Sequence, residues 1–207
     1  MDNKLIPPAI KGKNTDLETF LELKTVDVAR ETFKSAKNRM FNPPVWHQLA
    51  GTASAEFELT DREGRQVNRP AEKGDFLRID IPGPGPSAGA GDGYDWVTVT
   101  MIEENNDPAL DEQYCSLQLK AAHSPEGQKN VTAHFFREDA TSTFIISRKQ
   151  TKITATYHGR NELPNTDTGK PMDNIRNSLV ALGAFAFLSE LQWKSLIKGF
   201  LEGDDEN

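Results

Sequence analysis

Between Ala53 and His158 the chain repeats one pattern: short segments of alternating apolar and polar residues, divided by turns, with no helical segment among them. Ala53, Ala55, Phe57 and Leu59 alternate with Ser54, Glu56, Glu58 and Thr60. Leu77, Ile79 and Ile81 alternate with Arg78 and Asp80, and Val97, Val99 and Met101 with Trp96, Thr98 and Thr100. Cys115, Leu117 and Leu119 alternate with Ser116, Gln118 and Lys120. A strand points successive side chains to opposite faces, so each segment has one face to pack and one to wet. Thr141–Arg148 and Thr151–His158 add two β-branched segments across a short Lys-Gln, and Leu17, Leu21 and Leu23 mark a strand upstream. Val131 to Phe136 fits either a short strand or a loop. Parallel neighbours need a crossover of about a dozen or more residues, whereas "DREGRQ", "NNDPALDE" and "HSPEGQKN" are turn sequences. The pattern therefore predicts an antiparallel meander.

Helical periodicity flanks this region. Val28, Phe33, Ala36 and Met40 recur near helical spacing from Asp27 to Met40, with Thr25 or Asp27 as the N-cap. Pro43 and Pro44 end that helix and suit the first turn of a short second one, Val45 to Ala50, which Gly51 closes. A last helix is expected from Pro171 to Leu201, about 45 Å long at about 1.5 Å per residue. Its middle, "LVALGAFAFL", is apolar all round, and Phe185, Phe187, Leu188 and Leu191 are expected to dominate its docking.

The stretch Ile81–Trp96 holds five glycines and three prolines. Gly83, Gly85 and Ala88 match a loose phosphate-loop spacing. Such a loop must run from a strand straight into a helix, and here a strand follows, while Pro84 and Pro86 remove amides from the cradle. A long hairpin loop is the reading, with gating of a ligand site by residues 82–93 as the alternative.

Composition excludes other classes. The net charge is -7, and the densest basic cluster is Arg148, Lys149 and Lys152, too small for a phosphate backbone, so no nucleic-acid partner is expected. The single cysteine, Cys115, permits no internal disulfide, and on an alternating strand it reads as a core residue. The N-terminus has no apolar leader, and the longest apolar run, Leu179 to Leu188, is about half a membrane span. A cytoplasmic protein without a membrane span is the expectation. His47, His123, His134 and His158 are scattered without metal-ligand spacing, and there is no G-x-S-x-G elbow, so neither metal nor cofactor is indicated.

The most chemically loaded stretch is "TYHGRNELPN", Thr156 to Asn165, where Tyr157, His158, Arg160 and Glu162 cluster at a strand end. The plain reading is a polar strand end running into a loop, with a chemical site as the alternative. Arg78 and Asp80, two apart on one strand face, read as a solvated ion pair.

The order of strand, Asp27–Met40 helix, short helix through "PPVWHQL", about six antiparallel strands and the long helix "MDNIRNSLVALGAFAFLSELQWKSLIKGFL" resembles the START-like or Bet v 1-like (SRPBCC, helix-grip) superfamily. The resemblance implies an α+β fold in which a curved antiparallel sheet of about seven strands wraps round a long C-terminal helix. The expected division is a tail of residues 1–16, one domain over 17–201 and an acidic tail over 202–207. The resemblance also implies an apolar cavity for a small hydrophobic ligand, lined by Leu77, Ile79, Val97, Val99, Leu117, Leu119, Ile153, Tyr157 and Phe185. Packing of the same residues into a filled core is the competing expectation. Three functions stay open: hydrophobic-ligand binding, an enzyme of cyclase or hydrolase type with His158 and Arg160 as acid/base or anion-holding groups, and a protein-interaction module with a filled core.

Overall fold

A computed structural model describes residues 4–51, 55–80, 94–125, 136–163 and 190–203. Seven strands, β1 (Lys13–Glu22), β2 (Glu56–Thr60), β3 (Phe76–Asp80), β4 (Asp95–Asp107), β5 (Glu112–Ala121), β6 (Thr141–Lys149) and β7 (Lys152–Glu162), form one curved sheet. Its order is β1-β7-β6-β5-β4-β3-β2, with every neighbouring pair antiparallel. Strands consecutive from β2 to β7 are neighbours, and the short β4–β5 and β6–β7 connections are of turn length. β1 and β2 lie on opposite edges, so the chain between them crosses the sheet as helices α1 (Val26–Met40) and α2 (Trp46–Ala50), with the one-turn Pro43–Val45 between. The C-terminal α3 (Glu190–Glu202) packs on α1, α2, β1 and β7.

Thr25 is the N-cap of α1: its hydroxyl accepts from Val28 N–H at 3.3 Å, with Asp27 in the first turn and Lys37 and Arg39 in the last. The buried stripe is Ala29, Phe33, Ala36 and Met40. Val28, expected on it, is half-exposed, because the 4-3-4 spacing starts one residue later. In β4 the alternation breaks at a register shift between Val99 and Met101. The shift turns Ile102, not Met101, onto the core opposite Leu117. β1 begins at Lys13, ahead of the expected boundary at Leu17, and Leu5 is buried. The Asn161 side chain accepts from the N–H groups of Ile10 and Lys11 and donates to the Pro8 carbonyl, so this part of the expected tail is held against the sheet. Arg78 pairs across the strands with Glu58, its register partner, and lies over the Tyr94 ring, in place of the expected partner Asp80.

The core centres on Trp46, whose ring meets Phe57, Phe144 and Phe200 edge-on at 5.2, 5.1 and 5.6 Å. Leu196, Ile197, Phe200 and Leu201 dock α3, whereas Leu191 is exposed. The expected helix start at Pro171 and the docking residues Phe185, Phe187 and Leu188 lie outside the described residues. So does the phosphate-like stretch from Ile81 to Gly93.

Candidate functional site

The inner face of β7 carries Ile153, Ala155, Tyr157 and Gly159, and its outer face carries Thr156, His158 and Arg160. Asn161 interrupts this alternation with a left-handed backbone, φ 58°. The next side chain, Glu162, thereby returns to the Tyr157 side. The Tyr157 Oη donates to Glu162 Oε1 at 3.1 Å and lies 3.2 Å from Ser142 Oγ, which supplies the second proton of this chain. The Trp193 ring of α3 stacks on Tyr157 at 4.8 Å. Gly159 makes room, since a Cβ there would stand 2.5 Å from Glu162 Oε1.

Glu162 and Ser142 wall one end of a cavity of about 30 Å3 between sheet and α3. Phe57, Ile79, Val97, Leu119 and Trp193 are among the residues that wall the rest, together with Phe136 and Lys120. Thr141 also lines it, and its hydroxyl is buried with no partner. Of the expected ligand-lining residues, Ile79, Val97 and Leu119 are at this wall. Leu77, Val99, Leu117 and Ile153 are fully packed in the core, Tyr157 stands behind Glu162, and Phe185 lies outside the described residues. His158 and Arg160 do not reach the cavity: strand alternation sends both to the outer face, where each binds Asp16 of β1, at 2.5 and 2.6 Å. Burial alone would raise the Asp16 carboxyl, but the hydrogen bonds from Arg160 and His158 outweigh it and hold the group below its usual range. These two side chains lock β1 to β7. Glu162 was hidden by the same alternation, which places an even-numbered residue of β7 outward.

The sheet order, with its first two strands on opposite edges, helices bridging them, and a C-terminal helix on the inner face, decides the architecture. This is the helix-grip α+β architecture, a curved antiparallel sheet with the C-terminal helix on its inner face. The chain is similar in structure to a hypothetical protein from Helicobacter pylori, at 8% identity over 99% of this chain and 94% of that one, with a TM-score of 0.49. It is also similar to norcoclaurine synthase from Thalictrum flavum (12% identity, 92% and 88% covered, TM-score 0.34) and to a major latex-like protein from Panax ginseng (10% identity, 83% and 94% covered, TM-score 0.32). No family model and no curated protein matches the chain. Among the described residues, no helix is long and apolar enough to cross a membrane.

In this helix-grip interior the electrostatics favour neutral acids. Burial pushes the Glu162 carboxyl above its ordinary range, outweighing the Tyr157 hydrogen bond and the Lys13 charge; burial and Glu162 push the Tyr157 phenol up as well. Burial likewise pushes the Cys115 thiol up to about 12, which leaves it a core residue and not a nucleophile. Because folding raises the Glu162 value, its contribution to stability is complete below the unfolded carboxyl range of about 4.3 and is lost as pH climbs through the folded value. Glu162→Gln cannot ionise. Its urea midpoint should therefore gain on the parent as pH rises above about 4.3, and midpoints that stay parallel on raising the pH would contradict the raised value.

Proposed function

We propose that this protein binds a small hydrophobic molecule between the sheet and the C-terminal helix. The observation that carries the reading is the cavity itself, with mostly aliphatic and aromatic walls and the Glu162 carboxyl and Ser142 hydroxyl, both bonded to Tyr157, among its few polar groups. An apolar recess with a few convergent polar groups is the usual form of a small-molecule site. Its 30 Å3 accommodates about one or two waters, while drug-sized ligands occupy sites of about 300 Å3 or more. A ligand therefore enters by displacing wall side chains, and Trp193 and Phe136, both only partly buried, are the ones able to yield.

The buried Glu162 carboxyl, raised above its ordinary range, supports a second reading, proton transfer to a bound substrate. A carboxyl raised by burial is a general acid whose pKa moves toward neutrality. His158 and Arg160 have no part in it.

Titration with the neutral fluorophore N-phenyl-1-naphthylamine tests the site. Saturable one-to-one binding is expected, weakened about tenfold or more by Val97→Phe, which fills the cavity, with the far-ultraviolet spectrum of the folded chain retained. No binding, or binding indifferent to Val97→Phe, would overturn the proposal and favour a filled-core interaction module. Native mass spectrometry with organic extraction then identifies a natural ligand. Glu162→Gln leaves its affinity nearly intact under the binding reading and abolishes its turnover under the enzymatic one.

A further inference from the structure

The chain ahead of β1 crosses the outer face of the sheet as a strap. Leu5 is buried, and its carbonyl lies 3.5 Å from Gln118 Nε2 of β5. Gln118 belongs to the outer face, because Leu117 and Leu119 on either side of it are packed in the core. Further along, the strap meets Asn161. Asn161 Oδ1 accepts from the Ile10 and Lys11 N–H groups at 2.8 and 3.2 Å, and Asn161 Nδ2 donates to the Pro8 carbonyl at 3.3 Å. Asn161 is buried, so its side-chain amide depends on these partners.

Asn161 is also the extra residue of a β-bulge. Lys13 faces Glu162 and Thr15 faces Gly159, so Asn14 alone of β1 stands against both Arg160 and Asn161 of β7. The Asn161 N–H leaves the ladder and donates to Asn14 Oδ1 at 3.3 Å. Regular alternation would put Glu162 on the outer face with His158 and Arg160. The bulge brings it inside instead, where its Oε1 accepts from Tyr157 and its Oε2 lies 3.5 Å from Thr15 Oγ1.

The strap also touches the backbone that carries the acid. Gly12 has a φ of 92°, and a Cβ there would stand 2.8 Å from the Glu162 carbonyl oxygen and 2.9 Å from Leu163 Cγ. A left-handed residue other than glycine persists only where its surroundings over-determine it. Here the three strap bonds to the Asn161 side chain supply that constraint.

We propose that Asn161 is a positioning residue through which the N-terminal strap, residues 5–14, seats the Glu162 side chain at the interior cavity. Lifting the strap returns residue 161 to an extended backbone and Glu162 to the outer face. The cavity then keeps its apolar walls and loses its carboxyl, so the strap regulates whether the site offers an acid. That consequence for a ligand rests on the binding reading above. The seating of Glu162 does not.

An NMR titration of the full chain, isotope-labelled at the glutamate carboxyl carbons, tests the proposal without a ligand. The Glu162 signal is the one missing from Glu162→Gln, and in the parent it should titrate above the ordinary carboxyl value of about 4.3. The charged and titratable neighbours of this carboxyl among the described residues are Tyr157 on β7, Lys13 on β1 and Glu190 on α3, and all three are left in place. Asn161→Ala removes the strap bonds and tolerates a φ of 58° poorly, so Glu162 should return to the ordinary range. Asn161→Gly keeps the bulge but frees the strap. Exchange of the Ile10 and Lys11 amides should then quicken about tenfold or more, with Glu162 titrating between the parent and Asn161→Ala. Gly12→Ala pushes the strap off the Glu162 backbone and should shift Glu162 the same way.

A purely structural role for Asn161 would lower stability and leave the titration of the folded chain where it was. An unmoved Glu162 in Asn161→Ala would overturn the proposal. If Asn161→Ala does not fold, the other two variants decide: Glu162 unmoved in both would overturn it, because the bulge alone would then seat the acid. Failure of the parent to bind N-phenyl-1-naphthylamine overturns only the binding reading, since this titration reads the acid directly.

Discussion

Phe144→Ala is expected to cost about 3–5 kcal/mol in urea denaturation, the range for truncating a fully buried phenylalanine. Phe144 sits where the layers of the fold meet: its ring contacts Trp46 of α2, Tyr157 of β7, and Trp193 and Phe200 of α3, at 5.1 to 5.8 Å. The loss combines the transfer free energy of the ring with the cavity left behind, and four aromatic neighbours cannot all close on one void. The effect reaches the candidate site because Trp193, which stacks on Tyr157 and walls the cavity, loses an edge contact. The variant should also bind N-phenyl-1-naphthylamine differently from the parent, as an enlarged apolar void admits apolar guests. A cost below about 1 kcal/mol would show that α3 is held by something other than this aromatic cluster.

Much of this architecture was legible because strands and helices impose periods on sequence. The alternations around Phe57, Leu77, Val97, Leu117 and Ile153 gave correct faces, since one packed and one solvated face leave no other arrangement. Legibility failed where the backbone leaves its regular path. The β4 bulge exchanged Met101 for Ile102, and the left-handed Asn161 turned Glu162 inward. No apolar period reports either event. The candidate site suffered most: His158 and Arg160 attracted notice as polar residues in a chemically rich stretch, yet they bind Asp16 on the far side of the sheet. Separating core from cavity wall was also beyond the pattern. Leu77 and Ile79 share a face and a strand, and only the three-dimensional packing makes one core and the other lining.

Gly159→Ala is expected to destabilise the protein by about 1–3 kcal/mol, the range for overpacking a filled interior. The φ of Gly159 is not positive, so alanine meets no backbone strain and the cost is steric. The added methyl would stand 2.5 Å from Glu162 Oε1, 3.0 Å from its Cδ and 3.0 Å from the Tyr157 Oη. A surface carboxylate would swing aside at no cost. Glu162 is held by Tyr157 and surrounded by protein, so moving it breaks a buried hydrogen bond or pushes the carboxyl into the cavity. This account predicts coupling. In a Glu162→Ala background, where Tyr157 and Ser142 still hold each other, most of the clash disappears, and the same Gly159→Ala change should cost about 1 kcal/mol less. Additive costs would mean that the tyrosine alone resists the methyl. Non-additive costs would establish that the glycine is there to seat the acid, since a residue needed only for sheet packing gains nothing when Glu162 is removed.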